Sequence, residues 1–178
     1  MPIPISIQTA AIAVGETIVF CRLPAADQSA PLVARDIRSS VALAVSVPGI
    51  GLAGLLRFAY PDSAADPALA EENPCLFADT GIAELLSRVR AYGALDRDLR
   101  LYGCGAAALA ERTQGAEWAK ANELALKKIL WREHLYLAGE DLGGDCARSL
   151  WLDASGRIIV RSERARAAAA AEGLRHAV

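Results

Sequence analysis

The sequence predicts a mixed α/β domain in which strands and helices interleave without forming a parallel doubly wound sheet. Apolar runs rich in Val and Ile alternate with helical patterns, and most links between strand patterns are too short for crossovers. The chain has 178 residues, of which 53% are hydrophobic and 6% aromatic. That suits a single ordinary domain with a core of Ala, Leu, Val and Ile.

In chain order, "AIAVGETIVFCRL" (11–23) reads as one or two extended pieces, and "PAADQSAPL" after it reads as a loop. Val41–Val47 and Leu52–Tyr60 make a hairpin around Pro48-Gly49. Residues 61–74 read as loop, with prolines at 61, 67 and 74 and no sustained period. Asp79 or Thr80 is the expected N-cap of a helix carrying Ile82, Leu85, Leu86, Val89 and Tyr92 on one face, with Gly93 as its stop. Leu99–Tyr102 is a short strand running into "GCGAAALAER", whose glycines suggest a tight backbone turn.

A second helix is expected from Ala116 to Arg132. Its buried stripe is Trp118, Ala121, Ala125 and Ile129, flanked by Leu126 and Leu130, with Lys120, Lys127 and Lys128 facing solvent. Leu135–Leu137 is a strand, "GEDLGGDCAR" a polar Gly-Gly loop, and Ser149–Asp153 with Arg157–Arg161 a hairpin over "ASG". The three tryptophans, Trp118, Trp131 and Trp151, are expected in the core. The domain is read as residues 1–162. The Ala-rich tail 163–178 favours helix but has no broad apolar face, so it is expected to be loosely docked or frayed.

Composition excludes several classes of function. A net charge of −2 offers no general attraction to nucleic acid or anionic membrane. The four cysteines, Cys21, Cys75, Cys104 and Cys146, are scattered without a CxxC pair. They indicate neither a zinc knuckle nor a disulfide framework. The N-terminal stretch has no Lys or Arg before its apolar part and does not read as a signal peptide. Ser39 to Leu56 is uncharged and nearly long enough to span a bilayer, but Pro48-Gly49 at its centre suits a turn between buried strands. A soluble, cytoplasmic protein is expected.

Chemistry points to "ARDIRSSVALAV" (34–45), where a charged segment ends at an Arg-Ser-Ser corner and an apolar strand begins. Small polar residues at the mouth of a strand are where many hydrolases keep a nucleophile, which makes Ser40 the candidate. The surrounding blocks resemble the CheD family of chemoreceptor glutamine deamidases. "VGE" (14–16) resembles its opening strand, and "RSSVAL" (38–43) sits where the family carries Gly-Ser-Cys-Val. "GLAGLLRFAYPD" (51–62) resembles its Gly-Gly-x-x-His strand, and "FADTGIAELL" with "YGA" resembles its first helix. "RLYGCGAA" stands in for Phe-Gly-Gly-Ala, and Asn122 occupies the place of a helix asparagine. "EDLGGDCARSLWLDASGRIIV" (140–160) is the best-kept block.

The resemblance implies a four-layer α/β/β/α sandwich shared with glutamine-deamidating toxins. It also implies a cysteine nucleophile, a histidine base and a threonine that holds the histidine. In that chemistry the thiolate attacks the glutamine amide carbon, ammonia leaves, and water hydrolyses the thioester to glutamate. Here Ser40 falls at the cysteine position, Arg57 at the histidine position and Ala34 at the threonine position. Arginine cannot accept the serine proton, so family-type deamidation is not expected. The resemblance instead implies a binding role in chemotaxis or related signalling. Its partners would be chemoreceptor cytoplasmic helices or a CheC-like phosphatase.

The alternative reading is an active deamidase using Ser40 or a displaced thiol, Cys104 or Cys146. Such a thiol still needs a base, and the chain has two histidines, His134 and His176. Cys104, Cys146 and His134 lack metal-ligand spacing, and no metal is expected. "GEDLGGDC" lacks the lysine and following helix of a phosphate loop, so no cofactor is expected either. Arg38 and Ser39 are the candidate binding residues. With Arg57, Arg38 would make a basic spot able to hold a partner's acidic side chain, against the plainer reading of solvated arginines.

Overall fold

Seven consecutive buried residues, Val41–Val47, mark the centre of the fold. The computed structural model describes residues 10–21, 31–110, 113–153 and 155–163. Its strands are β1 (Ala10–Ile12), β2 (Glu16–Cys21), β3 (Leu32–Ile37), β4 (Val41–Val47), β5 (Leu52–Phe58), β6 (Arg100–Gly105), β7 (Leu137–Leu142), β8 (Ala147–Leu152) and β9 (Ile158–Glu163). Its helices are α1 (Pro67–Glu72), α2 (Ala78–Ala91) and α3 (Gln114–Arg132).

Two mixed sheets result, one in the order β1-β3-β8-β9 and the other in the order β2-β5-β4-β6-β7. In the first, β1 pairs parallel to β3; in the second, β7 pairs parallel to β6; the remaining pairs are antiparallel. The mixed α/β class and the stacked sheets agree with the sequence reading.

The alternation in "VALAVSV" explains the layering. Val41, Leu43, Val45 and Val47 pack into one core with Ile82, Leu85, Leu86, Leu126 and Leu130 from the helices. Ala42 and Ala44 turn the other way, into a second core with Ala34, Ile37, Leu150 and Leu152 of the opposite sheet. Large side chains thus fill the helix-facing side and small ones let the sheets approach. Helices α2 and α3 cover the five-stranded sheet. The tail read as helix falls, beyond Glu163, outside the described residues, as do His176 and most of the loop 24–32.

The uncharged segment resolves as expected into β4, a single 3-10 turn at Pro48–Ile50, and β5. Gly51 closes the turn in left-handed backbone at φ 63°. Among the described residues, no helix is long and apolar enough to cross a membrane.

Several local expectations are corrected. Leu32 opens β3, whose exposed Arg35 and Asp36 disguise a strand with buried Val33 and Ala34. Residues 61–74 contain α1 and a 3-10 turn, which Asp66 and Asp62 cap by accepting from Leu69 N and Ala64 N. The N-cap of α2 is Phe77, and Asp79 lies inside the first turn. There its carboxylate accepts from the Ser63 hydroxyl at 2.6 Å. The strand read at Leu135–Leu137 runs instead from Leu137 to Leu142, so "GED" is strand rather than loop.

The buried face of α3 is Ala116, Ala119, Asn122, Leu126 and Leu130. That is about a quarter turn from the stripe centred on Trp118, Ala121, Ala125 and Ile129. The polar Asn122, at 0% exposure, is drawn onto one edge of the buried face. Trp131 is 70% exposed rather than in the core. Trp118 is half-buried with its ring edge-on to Tyr60, and Trp151 lies beneath the guanidinium groups of Arg35 and Arg161.

Candidate functional site

Ser40 immediately precedes β4 and is 7% exposed. Strand alternation turns it to the side of Ala42 and Ala44, toward the layer between the sheets. On β5, Arg57 pairs with Ala42 and shares that side with Ala53 and Leu55. The two meet: Arg57 Nε donates to Ser40 Oγ at 3.2 Å across a sequence separation of 17. Ala34 reaches the same layer from β3, fully buried, and its methyl offers no hydrogen bond.

The rest of the guanidinium is committed to backbone. Arg57 Nη1 donates to the Arg35 carbonyl at 2.7 Å and Nη2 to the Asp36 carbonyl at 2.9 Å. A register shift between Ala34 and Ile37 interrupts the pairing of β3 with β8, and Asp36 sits there in left-handed backbone at φ 49°. Such a bulge leaves carbonyls without ladder partners, and Arg57 supplies their donors. Burial pulls the guanidinium down from its ordinary value, while the Asp36 carboxylate opposes that shift. Arginine nonetheless remains a cation.

Three successive carbonyls hold the corner in place. Arg38 O accepts from Ala107 N at 2.8 Å and Ser40 O from Ala106 N at 2.9 Å. Ser39 O accepts from Asn122 Nδ2 at 2.9 Å, and the same amide donates to Ala59 O at 2.7 Å. Asn122 Oδ1 is buried with no hydrogen-bond partner among the described residues. The "GCGAA" segment is shaped to this task. Gly105 has φ 119°, and a Cβ there would collide with the Ser40 carbonyl and with Ile37.

Arg38 is exposed and paired with Asp36 at 2.9 Å. The hydrogen bond and charge of Asp36 raise its pKa. The basic spot expected from Arg38 and Arg57 is therefore largely occupied: one cation faces a carboxylate and the other faces backbone carbonyls.

The alternative nucleophiles do not complete a nucleophile–base pair with Ser40 or Arg57. Cys104 pairs with Ala42 from β6 and faces the same between-sheet layer as Arg57, but on the opposite flank of β4, about 10 Å across the sheet from it. It is fully buried, and desolvation, then the Asp141 charge, push its thiol up to about 12 against the opposing effect of Arg148. Cys146 Sγ donates to Asp145 Oδ1 at 3.1 Å. His134 follows α3 in left-handed backbone at φ 56°, about 18 Å along the helix direction from Asn122. Hydrophobic periodicity did not reveal the ion pair of Arg148 with Asp141 at 2.7 Å, which ties β8 to β7 across the two sheets. The "EDLGGDCAR" block carries both of its members and was the available signal.

These blocks can be compared with known proteins. The family model for CheD chemotactic sensory transduction matches residues 60–162. A protein from Solibacter usitatus named probable chemoreceptor glutamine deamidase CheD is 37% identical over 142 residues, 79% of this chain and 83% of the relative. The chain belongs to the CheD family. A CheD 2 from Anaeromyxobacter dehalogenans is 34% identical over 138 residues, 76% of this chain and 86% of that one. A CheD 1 from Syntrophus aciditrophicus is 30% identical over 132 residues, 74% and 82%.

The CheD family match begins just past β5 and contains the corner's supports: Asn122, Ala106, Ala107 and the Asp141–Arg148 pair. Ala34, Ser40 and Arg57 lie before it. The positions that the CheD resemblance assigns to nucleophile and base are the two that meet at 3.2 Å.

Proposed function

We propose that this CheD-family chain works by binding a chemotaxis partner and does not carry out family-type glutamine deamidation. The observation that carries the reading is the commitment of Arg57. Its side chain offers donors to Ser40 Oγ, Arg35 O and Asp36 O and holds no lone pair for a proton. A serine hydroxyl becomes a nucleophile only when a base within hydrogen-bond reach takes its proton. Ala34 adds no hydrogen bond to orient one. Losing such a unit typically costs several powers of ten in rate.

The relatives are named for deamidating glutamines of chemoreceptors, so chemoreceptor cytoplasmic helices are the proposed partner, with a CheC-like phosphatase as the other candidate by family analogy. Contact would fall on Arg38 and Ser39 at the corner, where a partner's carboxylate would compete with Asp36 for Arg38. The domain that binds is residues 1–162, and its place of action is the cytoplasm.

The test is to incubate the purified chain with a chemoreceptor cytoplasmic fragment, following ammonia release and Gln-to-Glu conversion by mass spectrometry. The expected result is capture of the fragment in a pull-down with conversion at the level of the protein-free control. Robust conversion abolished by Ser40→Ala or Cys146→Ala would overturn the proposal.

A further inference from the structure

Helix α3 has two faces of different character. Inward, Asn122, Leu126 and Leu130 are buried against the sheet. At the opposite pole, Leu124 is 68% exposed and Trp131 70% exposed. They stand one heptad apart and so lie on one side of the helix. Tyr136, just beyond the helix end, is 74% exposed. Single exposed apolar residues need no explanation, but large ones aligned at heptad spacing form the kind of seam that seats another helix.

The charge around this seam is mostly positive, with the exposed Glu117, one heptad before Leu124, as its acidic member. Lys120, Lys127 and Lys128 share the pole with Leu124 and Trp131, and Arg132 lies beside it. Lys127 is held by Glu123 at 2.9 Å and Glu140 at 3.1 Å, and Glu133 is engaged by Arg90 at 3.3 Å. Lys120, Lys128 and Arg132 have no ion-pair partner among the described residues. A chain of net charge −2 thus carries a local surplus of cations framing an apolar seam.

We infer that the outward face of α3 docks an acidic amphipathic helix of a partner protein, with Leu124 and Trp131 as apolar anchors and Lys120, Lys128 and Arg132 pairing with its carboxylates. A second copy of this chain is a poor occupant, because α3 against α3 sets Lys120, Lys128 and Arg132 against the same cations with Glu117 alone on that side to offset them. A lipid surface is a poor one too, because the apolar stripe is a narrow seam rather than a broad face. The inference is independent of the chemistry at Ser40, and the face is separated from that corner by the thickness of the helix.

The probe is a synthetic helical peptide of about three heptads, with Leu at the a and d positions and Glu at e and g. A matched peptide carries Lys at e and g. Binding to the full chain is followed by fluorescence anisotropy, alongside sedimentation of the chain alone and co-pelleting with vesicles of anionic phospholipid. Saturable binding of the acidic peptide is expected, weakening with salt and falling about tenfold or more in Trp131→Ala and in Lys128→Glu. Both residues are exposed, so the unfolding midpoints of the variants should match wild type. The inference is overturned if the acidic peptide does not bind, or if the lysine peptide or the variants bind equally well. Self-association or vesicle binding that depends on Trp131, in place of peptide binding, would reassign the face to a second copy or to lipid and overturn it as well.

Discussion

Arg57 illustrates how one side chain can tie a strand corner to a neighbouring bulge. It contacts Ser40, where the family resemblance puts base against nucleophile, and it also satisfies the carbonyls opened by the bulge at Arg35 and Asp36. Replacing it with Met should remove three charge-assisted hydrogen bonds. Both carbonyls lie beside exposed residues that water can reach, so the expected loss is modest, about 1–2 kcal/mol in urea unfolding. An unchanged unfolding free energy would show that the guanidinium is not a latch. The encounter of Ser40 with Arg57 was legible in the sequence, since their spacing follows the family's. The bulge was not: it depends on left-handed backbone at Asp36, an aspartate in a charged segment that carries no strand pattern.

The connection of α3 to the strands depends on Asn122. Its amide bridges Ser39 O before β4 and Ala59 O after β5, so one side chain sets the helix against both strands of the central hairpin. Asn122→Leu keeps the branched shape, with bulkier methyls, but leaves both carbonyls without this donor in a part-buried setting. The expected cost is about 2–4 kcal/mol, read as a lower urea midpoint at unchanged slope. A variant as stable as wild type would mean that packing alone positions the helix. Apolar periodicity aims α3 about a quarter turn away because it scores asparagine as solvent-facing. The same rotation brings Leu124 and Trp131 to the outer pole.

At the scale of the whole molecule, the two sheets are joined by a core in which the small side chains of β4 meet Leu and Ile of the opposite sheet, and by the Arg148–Asp141 pair. Cys104 lies in this core, and its burial couples folding to alkaline pH. Its thiol is held at about 12 when folded against an ordinary 9.0. Below about pH 9 both states keep the proton; between about 9 and 12 only the unfolded chain releases it. Stability should therefore fall as pH rises through that window, by up to about 1.4 kcal/mol per unit. Burial also raises the Tyr102 pKa, which acts in the same direction. The comparison is thus with Cys104→Ala, whose unfolding free energy should decline less steeply from pH 9 upward. Parallel pH profiles for the two proteins would refute the coupling.

The sequence alone determined what is encoded locally or in ordered blocks. The mixed α/β class follows from short links between apolar runs. The β4–β5 hairpin follows from Pro48-Gly49, and the family resemblance follows from motifs in order along the chain. What Ser40, Arg57 and Ala34 can each offer chemically is also readable there, because chemistry at a position is a property of the residue itself. Only the tertiary structure decided which groups satisfy one another. The carbonyls of Arg38, Ser39 and Ser40 find donors on β6's exit and on α3, and Arg57 turns to the carbonyls of a bulge. Buried polar groups must be paired, and their partners come from elements distant in sequence, where no local period or propensity can announce them.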